Sequence, residues 1–273
     1  ILLGVGVILM FTGLGLLTYV HQQKQTATSG NVSERFSEAA SSAALETASR
    51  NDLDTETAAA TEKAQKKKKK QSQTTDVSET TPVSADDYLG LLQQQSADLP
   101  KLKRILKDPS RYPKSLLKAL SKNSEMLDFV LDYPKKHKNA AAKSIGDDFV
   151  TGEIPALIQW DERWGYAPYG SETIIAVSGC GPTALSMVIS GLLQDASITP
   201  AVVADYASSN GYLDENLDTK WELMTNGVEH FGLSGSILGL DENAMINVLS
   251  VGCPIICSMG PGIFTTTGHF IVL

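Results

Sequence analysis

Two residues of this chain carry reactive chemistry in a suggestive setting: Cys180, in the tetrapeptide GCGP, and His269, in GHFIVL. Pro182 suits the first turn of a helix, where its missing N–H costs nothing. Ser178 to Gly181 therefore reads as a tight turn, with a buried helix from Thr183 to Leu193. A cysteine at that helix start feels the positive end of the peptide dipoles and their unpaired N–H groups. Both favour the thiolate and would depress its pKa. Glycines on both sides keep the approach to sulfur open and allow unusual backbone dihedrals. A thiol nucleophile needs a base. Of the four histidines, His21 abuts an apolar run and His137 lies in the basic stretch KKHK. His230, near the end of an expected amphipathic helix over Trp221 to Phe231, reads as a cap or surface group. His269 opens a β-type run to Leu273 beside an uncrowded glycine and is the better candidate.

The elements that must position these residues follow from patterning. Ile174 to Val177 reads as a short extended approach to the turn. Upstream, IPALIQWDERWGYAPYG carries Trp160, Trp164, Tyr166 and Tyr169 among turn residues, as an aromatic loop over a groove would. Thr199 with Pro200 marks a helix start, and Met259 to Gly262 a turn expected to line the groove near His269. The apolar run holding Cys253 and Cys257 reads as a strand with both thiols on one face. Their Cα atoms would then lie roughly 13 Å apart, too far for a disulfide, so core packing is expected. Helices flanking a small antiparallel sheet make the class α+β.

From Asp86 to about 145, leucines recur at helical spacing through Leu99, Leu102, Ile105, Leu116, Leu120 and Leu131. This predicts a small helical subdomain, its helices bounded by Pro109, Pro113 and Pro134 and capped at Asn123 or Ser124. Residues 21–85 are rich in Ala, Ser, Thr, Glu and Gln and read as a disordered polar linker. Its lysine run, Lys66 to Lys70, reads as a solvated segment or, alternatively, a contact for anionic lipid or cell-wall polymer. Residues 1–20 are uncharged and apolar and are expected to form a transmembrane helix, a single-pass anchor with the rest of the chain outside the cell, the alternative being the apolar region of a cleaved signal peptide. The whole chain has 273 residues, 31 acidic against 23 basic, and a net charge of −8. That balance excludes a nucleic-acid partner. Three cysteines build no disulfide framework, and neither a metal-ligand spacing nor a nucleotide fingerprint occurs, so no metal or cofactor is expected.

The order QWDERW, SGCGPTALSMVI, GHFIVL resembles the C39-like cysteine peptidases of bacteria, a branch of the papain-like superfamily. The resemblance covers about Ile154 to Leu273, within a domain expected over 150–273, and SLLKALSKNSEMLDFVLDYP also resembles the segment that precedes the catalytic domain in Gram-positive members. It implies a papain-like fold and hydrolysis of peptide or amide bonds in a peptide or protein substrate. Cys180 would be the nucleophile, His269 the general base and acid, and Gln159 an oxyanion donor. The family's His-orienting Asp or Asn has no counterpart here and is expected beyond residue 273, since neither Asp161 nor Asp241 matches its position. A wall amidase or endopeptidase with the same chemistry, or a non-catalytic surface binding module using Trp160 to Tyr169, are the alternatives.

Overall fold

The structure is a computed structural model that describes residues 6–12, 87–262, 265 and 268–273. It is mixed helix and antiparallel sheet. In chain order the elements are β1 (Gly6–Thr12), α1 (Tyr88–Gln95), α2 (Leu102–Leu106), α3 (Lys114–Lys122), α4 (Leu127–Lys136), β2 (Pro168–Tyr169) and β3 (Thr173–Ile174). Then follow α5 (Ile175–Ser178), α6 (Cys180–Leu193), α7 (Pro200–Ser209), α8 (Glu222–Thr225), β4 (Leu233–Leu238), α9 (Glu242–Ser250), β5 (Ile255–Met259) and β6 (His269–Val272). The larger sheet has the order β4-β1-β5-β6, and β2 pairs with β3 in a separate two-stranded ribbon.

The expected leucine stripes close the helical segment around Leu92, Leu102, Ile105, Leu116, Leu120 and Val130. Asp87 caps α1 through Gly90 N–H, and Asn123 accepts from Glu125 N–H, as the asparagine's place suggested. Pro134, expected at a helix boundary, lies inside α4. It falls in the last turns, where one lost bond to Val130 is tolerated and Lys136 pairs with Asp132 and Glu162. This core is shared with the segment that follows: the Phe129 and Tyr166 rings stack at 4.0 Å, and Tyr166 donates to Phe129 O at 2.8 Å.

The second core surrounds α6. Leu185, Val188 and Ile189 meet Ile175, Val203 and Leu223, with Ile256 of β5 closing one side. Thr199 caps α7 by accepting from Val202 N–H. Several expectations need correction. Trp164, Tyr166 and Tyr169 are buried in the two cores and do not line a groove. The extended approach stops at Ile174, because Gly179 N–H turns back to Ile175 O and winds Ile175–Ser178 into a helical turn. The helix expected from Trp221 to Phe231 is split at Asn226 into α8 and a 3-10 turn, Gly227–Phe231. There a side chain in place of Gly227 would press on Tyr212 and Leu223. Cys253 precedes β5 while Cys257 lies within it, so they do not share one strand face. Both thiols are free and buried, as core residues.

The apolar N-terminus also departs from expectation. Gly6–Thr12 is a strand, paired antiparallel to β4 through Val7 to Leu238 and to β5 through Val7 to Cys257. Apolar periodicity alone cannot separate a buried strand from a membrane helix, and a seven-residue strand between two open edges satisfies its backbone as fully as a helix does. No described helix is long and apolar enough to cross a membrane. The remainder of the expected anchor, 1–5 and 13–20, and the linker at 21–85 lie outside the described residues.

Candidate functional site

Cys180 is the first residue of α6, with Gly179 as its N-cap. The two glycines are needed for space rather than for unusual dihedrals, since neither has a positive φ. A Cβ on Gly179 would meet Ile175 O at 2.7 Å, and one on Gly181 would meet Thr219 Oγ1 at 2.5 Å. The turn into the helix is therefore packed tightly enough to admit only glycine. Thr183 secures it, donating its hydroxyl to Gly179 O at 2.8 Å.

His269 opens β6 opposite Met259 of β5, and β6 lies against α6. Gln159 sits on the loop preceding β2, where its amide donates to Ile175 O at 2.8 Å. That bond ties the loop to the turn immediately before Cys180. The loop is shaped from within: Trp164 Nε1 donates to Ile158 O at 2.9 Å, and Gly165 N–H to Asp161 O at 2.6 Å. Arg163 clamps it from outside. Its guanidinium binds Asp161, Asp148 and the Ile145 carbonyl, and it lies over the Trp164 ring at 4.4 Å. Sequence reading passed over this clamp. The D-x-R spacing was its only local signal, and the partners Asp148 and Ile145 are remote in sequence.

All three expected site residues, Gln159, Cys180 and His269, line one cavity of about 290 Å³. Leu157, Ile158, Trp160, Ala184, Met187 and Phe270 supply most of its wall, and no charged side chain joins them among the described residues. On α6 the lining follows helical spacing through Cys180, Thr183, Ala184 and Met187, so one helix face borders the cavity. Met259 pairs with His269 across the sheet but does not line the cavity, contrary to the role expected for its turn. His230 stacks on Tyr206 at 4.2 Å, and His137 bonds Tyr133 O; both lie apart from the cavity.

The electrostatics revise the expectation of a resting thiolate. Burial pushes the Cys180 thiol above its ordinary range, while backbone hydrogen bonds from Phe270 and Gly181 pull it down and the Asp218 charge adds to the rise. The helix terminus does act on the sulfur, but desolvation is the larger effect. Burial also lowers the His269 pKa from its usual value. Both directions favour a neutral thiol and a neutral imidazole at neutral pH. Such an imidazole can accept a proton, and the thiol can lose it at the moment of attack.

Comparison of the chain with protein-family models, with curated proteins and with solved structures found no match.

Proposed function

We propose that the protein is a papain-like cysteine peptidase of the C39-like kind, acting on peptide or amide bonds by acyl transfer. The observation that carries this reading is the convergence of Gln159, Cys180 and His269 on one largely apolar cavity, from three separate parts of the chain. In the mechanism, His269 takes the Cys180 proton as sulfur attacks the substrate carbonyl, then protonates the leaving amine. Water, activated by the same imidazole, hydrolyses the thioester and frees the thiol. The Cys180 N–H at the start of α6 and the second amide N–H of Gln159, whose first is spent on Ile175 O, are the donors for the oxyanion.

The uncharged lining favours substrates that present apolar or small side chains beside the scissile bond, because burying an unpaired charge there is costly. Incubation with a denatured protein mixture, with new N-termini identified by mass spectrometry, tests the reading. Cleavage that disappears in Cys180→Ala and His269→Ala supports it. Cleavage persisting in both variants overturns it.

A further inference from the structure

Behind the first turn of α6 lies a buried polar pair that the proposed chemistry does not use. The Tyr169 hydroxyl and Thr219 Oγ1 are hydrogen-bonded at 2.8 Å. Tyr169 is fully buried and Thr219 is 7% exposed. Thr219 also fills the space that a Cβ on Gly181 would need, its Oγ1, Cγ2 and Cβ all within 2.7 Å of that point. The threonine is therefore pressed against the residue that follows Cys180.

Both members of the pair are held from elsewhere. Tyr169 lies in the ribbon opposite Thr173, the strand that runs directly into α5 and then Cys180. Thr219 is bridged to Leu213 across a loop that Asp214 closes by accepting from Asn216 and Asp218 N–H. Lys220 N–H to Tyr212 O, 2.8 Å, fixes its other side. The turn bearing the thiol is thus gripped between a ribbon on its N-terminal side and a loop against its first helical residues.

Resting on the reading of Cys180 as nucleophile, we propose that Tyr169 and Thr219 are positioning residues that fix the first turn of α6 and through it the direction and reactivity of the Cys180 thiol. Burial raises the Tyr169 pKa, so its phenol stays protonated and the bond persists across the working pH range. The groups that bear on the thiol are the Phe270, Gly181 and Cys180 backbone and the Asp218 carboxylate; the thiol also interacts with the Tyr169 phenol, and His269 lines the same cavity. A shift of the turn changes its relation to each of them.

The test measures alkylation of Cys180 by iodoacetamide in the full chain against pH, with the modified peptide identified by mass spectrometry so that Cys253 and Cys257 are read separately. Tyr169→Phe and Thr219→Val should each slow alkylation about fivefold, the equivalent of one ordinary hydrogen bond, and move its pH midpoint. Thr219→Ser, which keeps the hydroxyl, should restore the wild-type profile. The double variant Y169F/T219V leaves no orphaned buried hydroxyl and should melt close to wild type while keeping the altered profile. It carries the test if a single variant does not fold. Wild-type rates and midpoints in variants that melt normally overturn the proposal, as does a Thr219→Ser profile matching Thr219→Val, which assigns the effect to packing. Iodoacetamide needs no substrate, so failure to cleave any peptide overturns the proposed function while this outcome stays readable.

Discussion

A cysteine in the first turn of a buried helix is pulled two ways, and at Cys180 the pull toward the neutral thiol wins. Helix N–H groups stabilise the anion within about one turn, whereas exclusion of water penalises it throughout the pocket. With His269 held below the ordinary histidine value of about 6.5, the expected pH profile is distinctive. On the proposed mechanism the neutral imidazole takes the thiol proton, so the acid limb of kcat/KM should have its midpoint below that value. Alkylation of Cys180 in the absence of substrate should rise only in the alkaline range. A resting thiolate–imidazolium pair gives the opposite result, fast alkylation at neutral pH. Gln159→Ala should lower kcat about a hundredfold with a smaller change in KM, because an oxyanion donor acts on the transition state. Kinetics on a cleaved peptide would check that split. That Gln159, Cys180 and His269 border one cavity accords with the motifs QWDERW, GCGP and GHF that singled them out. The ionisation of Cys180 and His269 was not legible in those motifs, because it depends on how far the folded chain shields both groups from water.

Among the elements, the clearest signals were helical leucine stripes, a proline-marked helix start and one apolar β-type run. The leucine stripes of α3 and α4, the Thr199–Pro200 start of α7 and the strand at His269–Val272 all form where patterning put them. Short or weakly patterned pieces did not announce themselves. LSGSIL alternates poorly, and β4 exists because a neighbouring strand pairs with it. The aromatic loop was misread for a related reason: Trp164 and Tyr169 look exposed among turn residues until partners distant in sequence cover them. The Arg163 clamp belongs to this scale, because it joins the Gln159 loop to Ile145 and Asp148. Arg163→Ala should cost about 1 to 2 kcal/mol by urea unfolding, modest because the group is partly solvated. Its effect on kcat should exceed its effect on stability, since the loop carries Gln159 and Trp160. Phe129→Ala, which removes the ring stacked on Tyr166, should cost about 3 kcal/mol by the same measurement.

For the whole molecule, the N-terminal apolar segment decides the architecture. While Gly6–Thr12 lies between β4 and β5 it completes the sheet whose far edge bears His269. The same residues cannot at that moment span a bilayer. Ile8 pairs with Ile237 and Ile256, so Ile8→Pro removes a ladder donor and places a ring in the middle of the sheet. In the detergent-purified chain this variant should lower the melting temperature markedly and weaken activity. An unchanged melting temperature combined with membrane attachment in cells would return the segment to the role of anchor. The α+β class and the order of the reactive motifs were readable from the sequence. The partner chosen by an uncharged apolar run was not, because hydrocarbon and a sheet core satisfy it equally well.

The most direct measurement is mass spectrometry of the protein quenched in acid during turnover of a peptide ester. With Cys180 as the nucleophile, an acyl adduct on Cys180 should accumulate in the wild-type chain and be absent from Cys180→Ser and His269→Ala. Hydrolysis of that ester at an undiminished rate in Cys180→Ser, with no adduct on position 180 at any time, contradicts that role.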